Sequence, residues 1–400
     1  MLPDLPPRFE LDHDFTEALA HIAAIRTRRK LERDPVYREI KPQLERVLRG
    51  FEWDLEPTLG TSLTARRPGV VRVAAWNVER GKRFAGLRHA LTHDPVLREA
   101  DVLLLTEVDI GMGRSQNLNV PRELAAALGM GYLFANYHIV LAEGDRGERG
   151  HGIPNTKAMH GCALLTRFPV LRFEAVDLAE RKDKFHATEK RIGNKRTLLC
   201  ELLLPDGPLS LALVHLDPFT GPRHRANQLR QIVARMRRFG GERMLLGGDL
   251  NTNTYDLGSG QGMLYNMLYK LTRFGFEGTV EQYMKPEEIL ERKVFEALRA
   301  GGLAIEGFND FARGTIYYDV YDPEMARKAL DYLPKPVCRW LMGWLERRLE
   351  PWDGRVPLRV DWFAGAGLRP RSPQVIERPM VDGQIISDHN PILVDLELAH

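Results

Sequence analysis

The stretch Arg243-Met244-Leu245-Leu246-Gly247-Gly248-Asp249-Leu250-Asn251 limits what this chain can fold into more than any other. A short apolar run ends in paired glycines and then presents a carboxylate and a carboxamide two residues apart. Side chains alternate across a strand, so the run reads as a buried strand that delivers Asp249 and Asn251 to the lip of a sheet.

The same grammar recurs along the chain. Strands are expected at Val70–Trp76, stopping at Asn77, and at Val102–Leu105, stopping before Glu107. Further strands are expected at Tyr132–Phe134, Cys162–Thr166, Val170–Val176, Thr197–Leu204, Ser210–His215, Leu358–Phe363 and Ile392–Leu398. Helical periodicity marks one or two helices within 14–50, then 84–92, 121–128 with Pro at its first turn, and 222–238. Residues 142–160 are glycine-rich and polar and read as a loop. From Tyr255 to Arg355 there is no continuous strand pattern, and helices are expected at 263–273, 286–300 and 323–349. Strands and helices mixed in this way predict an α/β (α+β) architecture with most strands buried on both faces. We divide it into a helical extension at 1–66 and a main domain at 67–400 carrying a helical insertion at about 256–355.

Composition narrows the partners. Lys and Arg number 57 against 54 Asp and Glu, a net charge of +3, so charge alone would not hold the chain on nucleic acid and any anion binding must be local. Cys162, Cys200 and Cys338 form no CxxC pair, and the first residues lack a signal peptide's basic and apolar regions. No apolar run approaches the roughly 18 residues that would span a bilayer. A cytoplasmic protein is expected, with no membrane segment, and no sequence feature specifies its oligomeric state.

The polar residues at expected strand ends are Asn77, Glu107, His215, Asp249 with Asn251, and Asp388-His389, with Asp361 inside its strand. Strand ends in layered folds open onto a shared rim, where sites sit. Acids, amides and histidines recur there; a phosphate-binding Gly-x-x-x-x-Gly-Lys loop, a dinucleotide fingerprint and a nucleophile elbow do not. Such a set suits phosphate-ester hydrolysis. Glu107, Asp388 and an Asn77 oxygen are hard ligands of the kind Mg²⁺ or Mn²⁺ takes. Asp249 would orient or deprotonate the attacking water, with Asn251 fixing its geometry. His389 and His215 would bond phosphoryl oxygens, and Asp361 would orient His389.

These residues fall within recognisable motifs: Ala75-Trp76-Asn77-Val78, Leu105-Thr106-Glu107-Val108, Leu213-Val214-His215-Leu216, Gly248-Asp249-Leu250-Asn251, Arg359-Val360-Asp361-Trp362-Phe363 and Ile386-Ser387-Asp388-His389-Asn390-Pro391-Ile392. With Gly161–Pro169 they resemble, in order, the endonuclease/exonuclease/phosphatase (DNase-I-like) superfamily. The resemblance covers about 70–255 and 355–398. It implies a four-layer sandwich of two face-to-face mixed β-sheets flanked by helices, and divalent-metal-dependent hydrolysis by an activated water without a covalent intermediate. Carried over, Asn77, Glu107 and Asp388 would surround the metal, and His215, Asp249, Asn251 and His389 the scissile phosphate. Asp249 is the favoured base and His389 the second choice.

The expected activity is that of a phosphodiesterase, with a nuclease as one form. The alternative is a phosphomonoesterase acting on nucleotides, inositol phosphates or lipid headgroups; a non-catalytic binding protein on the same fold is disfavoured by the complete acid and histidine set. A dinuclear metallophosphoesterase is rejected because its Asp-x-His order is reversed at His215-Leu216-Asp217. A cationic rim for substrate is expected from Arg114, Asn117, Lys157, His160, Arg167, Lys190, Arg191, Lys195 and Arg196. The N-terminal helices and the segment before Arg355 depart from the family's usual pattern, and no membrane-binding segment of the sphingomyelinase kind is evident.

Overall fold

The computed structural model describes residues 5–59, 63–144, 148, 152–187, 189–252, 260–321 and 335–398. Val70–Arg80 is its central strand, and both its faces are buried. Val71, Val73 and Ala75 point toward a second sheet, while Ala74, Trp76 and Val78 point toward helices. This two-sided burial is why the strand reads as a near-continuous apolar run rather than as an alternating one.

Around it lies a nine-stranded mixed sheet. Its order is Arg8–Phe9, Phe51–Asp54, Gly131–Val140, Met159–Thr166, Val102–Ile110, Val70–Arg80, Ile392–Glu397 and Pro370–Val375, with Arg191–Gly193 also paired to Gly131–Val140. Only the Val70–Arg80 and Val102–Ile110 neighbours run parallel. The second sheet has five strands in the order Asp361–Ala366, Met244–Asp249, Gly207–His215, Arg196–Leu204 and Val170–Asp177. Leu198, Leu211, Leu213, Leu245 and Phe363 meet Val71, Val73 and Leu104 between the two sheets.

Helices cover the outer faces. Phe84–His93 and Val120–Leu128 pack on the first sheet with the N-terminal helices. Pro222–Phe239 and Arg292–Ala300 pack on the second through Leu229, Ile232, Met236, Val294, Phe295 and Leu298. The result is the four-layer sandwich the sequence led us to expect. Helix ends follow local chemistry: Asp34 accepts from the Tyr37 N–H ahead of Pro35, and Asn119 caps Val120–Leu128 with Pro121 in the first turn.

Several elements differ from expectation. The N-terminal segment is not wholly helical, because Phe51–Asp54 adds a strand to the main sheet after helices Thr16–Ala23, Arg28–Leu31 and Pro35–Leu48. The strand expected at Tyr132–Phe134 runs from Gly131 to Val140. Its polar residues tolerate burial because Asn136 donates to Val47 O and His138 pairs with Glu180. Met159 and His160, expected in a loop, are already strand. The strand expected at Leu358–Phe363 breaks in two: Arg355–Leu358 pairs with an unforeseen strand, Ile316–Asp319, and Asp361 opens a new strand. Thr315 Oγ1 accepts both the Val360 and the Asp361 N–H at this break. The strand Pro370–Val375 was also unforeseen. In the insertion, helices run over Gly260–Met284 with a kink at Gly275, Arg292–Ala300 and Lys335–Arg348. Part of the helix expected at 323–349 lies outside the described residues. Among those residues no helix is long and apolar enough to cross a membrane.

Candidate active site

In the five-stranded sheet, His215 pairs in register with Asp249, and Asp249 with Asp361. Three titratable side chains therefore form one row across three adjacent strands. Gly248 makes the row reachable: its φ is +130°, and a Cβ there would lie 2.2 Å from Val214 O. No other residue fits that backbone. Asp249 Oδ1 accepts the Asn251 N–H at 2.8 Å, and Asn251 Nδ2 donates to Leu216 O at 2.9 Å.

The nine-stranded sheet supplies the facing groups. Asn77, Glu107 and the Ser387–His389 turn lie at the ends of three neighbouring strands, Val70–Arg80, Val102–Ile110 and Ile392–Glu397. Ladder irregularities fall between Asn77 and Arg80 and between Leu105 and Val108. Glu79, Arg80 and Glu107 take positive φ values of 46°, 71° and 53°. Non-glycine residues adopt such backbone rarely and at a cost, and both bulges and strain concentrate at functional rims. Ser387 ties the turn down by donating to Asn77 O at 2.7 Å and accepting the His389 N–H at 3.1 Å.

The two halves meet at Asp249 Oδ2. Asn77 Nδ2 lies 3.2 Å from it, His215 Nε2 3.5 Å and His389 Nε2 4.0 Å. His389 Nδ1 bonds Asp361 Oδ2 at 2.8 Å. Glu107 sits 3.8 Å from His215 Nε2 and 3.6 Å from Arg80 Nε.

Burial sets the charges. Burial and the neighbouring Asp361 push the Asp249 carboxyl up to about 7, against the pull of His389, Lys195 and the Asn251 N–H. Burial opposes a charge on His389, but Asp361 and Asp249 outweigh it and hold the imidazole well above its ordinary value. Burial and Lys195 hold His215 well below its ordinary value, hence neutral. Burial would raise Glu107, yet the Arg80 guanidinium keeps it well below the usual carboxylate range.

Asp249, Asp361 and His389 offer three ligand atoms within 4.8 Å of one another. Two of those groups already share a short hydrogen bond that orients the histidine, an arrangement suited to moving protons. Glu107 better matches a hard divalent cation: it is an ionised carboxylate, 22% exposed. Asp388, which precedes His389 in the chain, is exposed. The Asn77 carboxamide accepts the Glu79 N–H through Oδ1 and donates to Asp249 Oδ2 through Nδ2.

Three contributors, Ser387, Tyr137 and Arg80, went unassigned in the sequence, and a fourth, Lys195, was expected on a substrate rim instead. Ser387 lies inside the quoted Ser-Asp-His motif and was legible there. Tyr137, whose hydroxyl is 3.4 Å from His215 Nδ1, sits mid-strand with nothing in the sequence to mark it. Arg80 and the buried Lys195 act through charge; Lys195 Nζ donates to Leu216 O at 2.8 Å.

Apart from Arg167, the residues expected to form a cationic rim are tied to other protein groups. Arg114 is buried among Asp109, Glu148 and Glu189, and His160 bonds Asp109. Lys190 donates to the Ala23 and Ile25 carbonyls, Lys157 pairs with Asp12, Arg191 with Glu189 and Arg196 with Asp177. Asn117 donates to Pro154 O. A nearly balanced charge leaves an acid at hand for most cations, so loop cations in the sequence become internal ties.

A model of the endonuclease/exonuclease/phosphatase family matches residues 74–389. The chain belongs to this family. Its members are hydrolases acting on phosphate esters, and the fold described above is DNase-I-like. Similar solved structures include an endonuclease/exonuclease/phosphatase from Beutenbergia cavernae, 16% identical with a TM-score of 0.46, covering 82% of this chain and 72% of that one. Another is a 3′–5′ exonuclease from Neisseria meningitidis, 14% identical with a TM-score of 0.44, covering 82% and 100%. A third is the human Nocturnin catalytic domain with bound sulfate, 15% identical with a TM-score of 0.43, covering 84% and 96%. No curated protein sequence matches.

Proposed function

We propose that this family member is a divalent-metal-dependent phosphodiesterase of the cytoplasm, using Mg²⁺ or Mn²⁺ and an activated water. The observation that carries the reading is the convergence of Asn77, His215 and His389 on one Asp249 oxygen whose carboxyl is poised near neutrality.

Asp249 is the group that accepts the proton of the attacking water, since its carboxyl changes charge close to working pH. Asn77 Nδ2 and the Asn251 N–H each hold one of its oxygens in place. Water oxygen bonds to phosphorus as the bond to the leaving oxygen breaks, and negative charge grows on the phosphoryl oxygens. Protonated His389, held by Asp361, presents Nε2–H to that charge, and neutral His215 lies on the opposite flank. Glu107 and Asp388 are the hard oxygen donors that would hold the cation, with Asn77 completing the set through its oxygen. When bound, such an ion would polarise a phosphoryl oxygen and steady the leaving oxygen. Buried cysteines outside any disulfide, Cys162 and Cys200, suit a reducing compartment.

The test is a screen of the purified chain with Mg²⁺ or Mn²⁺ against bis-p-nitrophenyl phosphate, plasmid and abasic DNA, RNA, nucleotides and inositol phosphates. Hydrolysis of a diester should require added metal and vanish in excess EDTA. Undiminished turnover in EDTA would overturn the mechanism.

A further inference from the structure

Away from the site, the insertion and the helix Pro222–Phe239 border an open cavity of about 560 Å³. Four of its lining side chains are Arg181, Arg223, Arg292 and Lys293, and among the described residues no acid lines it. Arg292 also reaches Glu296 one turn along its own helix, at 3.2 Å with both side chains largely exposed. Such an exposed pair contributes little and leaves the arginine available. Ile289 and Leu290 form an apolar wall, Ile289 being 42% exposed.

These cations stand where helix electrostatics disfavours them. Arg223 is in the first turn of Pro222–Phe239, and Arg292 and Lys293 are in the first turn of Arg292–Ala300. Neither first turn holds an acid. A helix's amino end carries partial positive charge, which acids ordinarily offset. The carboxylate best placed to do so, Glu291, is turned inward and fully buried against Arg225. That ion pair clamps the two helix starts side by side and leaves their positive charge facing the cavity. A concave surface lined by one sign of charge focuses its field on a ligand of the other.

We propose that this pocket binds an oligophosphate anion with an apolar or aromatic body: the phosphates of a free nucleotide, or those of a nucleic-acid strand. The four cations take the phosphates, and Ile289 with Leu290 takes the body. The volume is that of a small-ligand site. The loop 216–221 begins at Leu216, whose carbonyl is held by Asn251 and Lys195, and ends at Gly221 on the cavity wall. A loop that short spans at most roughly 20 Å, which bounds the distance from Leu216 to the cavity wall at Gly221.

The test is calorimetric titration of the full chain in EDTA, which keeps binding separate from turnover. The probes are sodium tripolyphosphate and a short single-stranded oligothymidylate, and the comparison is the triple variant R223Q/R292Q/K293Q. Tripolyphosphate should bind the wild type and lose about tenfold or more in affinity in the variant, while metal-dependent hydrolysis of bis-p-nitrophenyl phosphate is unchanged. Strand binding that weakens in parallel places a nucleic-acid phosphate in the pocket. Strand binding that is unaffected makes the ligand a free oligophosphate. Equal tripolyphosphate affinity in the two proteins overturns the proposal. Arg223→Lys should keep the binding, and thermal melts without ligand should show the triple variant at least as stable as the wild type, since it removes helix-end repulsion.

Discussion

The two sheets bring different chemistry to one end of the sandwich. The five-stranded sheet presents His215, Asp249 and Asp361 as a regular row, in register and deeply buried. The nine-stranded sheet presents Asn77, Glu107 and Asp388 from bulged, positive-φ or turn backbone, with Glu107 and Asp388 reaching solvent. Burial with fixed register yields shifted proton affinities, which is what acid–base chemistry needs. Irregular, partly wet strand ends yield ionised oxygens, which is what a hydrated cation needs. A site of this kind requires both, and it arises where a regular edge faces an irregular one.

The largest test of that contrast is Asp249→Asn. Turnover should fall by roughly 10⁴-fold or more, because water activation and the anchor for three neighbours are lost together. The pH dependence sharpens the point. The folded-state carboxyl lies near 7, above the ordinary 3.8, so the fold favours its protonated form. Its burial therefore costs stability progressively as pH rises from the ordinary carboxylate range to about 7. Asp249→Asn should melt a few degrees above wild type at about pH 8 and show no such gain at about pH 4; the reverse pattern in thermal melts breaks the assignment. In the wild type, kcat/KM should rise with pH through about 7.

Asp361→Asn comes next. It removes the charge that keeps His389 protonated, and kcat should drop by roughly 10²–10³-fold with little change in KM. Equal losses in kcat and in substrate binding would make Asp361 a general structural residue. Glu107→Gln probes the wetter edge: the Mg²⁺ concentration for half-maximal rate should rise about 10–100-fold, and a rate loss that excess metal does not restore would move Glu107 out of the metal set. The smallest effect on activity belongs to Arg114→Ala. It should leave KM unchanged but destabilise the fold by about 3–5 kcal/mol, because Asp109 and Glu189 lose their buried partner. A raised KM in the folded variant would return Arg114 to a substrate-facing role.

The failed rim and the legible strand-end residues differ for one reason. Asp249 and His215 close apolar runs that local pattern reads as buried strands. Arg114, His160 and Lys195 sit where only tertiary pairing decides direction: Glu189 for Arg114, Asp109 for His160 and Leu216 O for Lys195 come from other segments of the chain. Extra strands escaped notice similarly. Phe51–Asp54 is four residues long, too short for periodicity to register, and it exists because Gly131–Val140 offers an edge. Tyr137 lies in a strand whose aromatic character explains it fully without His215.

Sequence alone determined the layered α/β plan, the strand ends and the identity of the polar residues waiting there, because apolar period and glycine placement are local properties. Tertiary structure alone decided that His215, Asp249 and Asp361 share one row, and that Asn77 leans on Asp249. It also decided that most loop cations turn inward, while Arg223, Arg292 and Lys293 gather around a cavity. Register between strands and the pairing of charges depend on partners far along the chain, and local pattern carries no record of them.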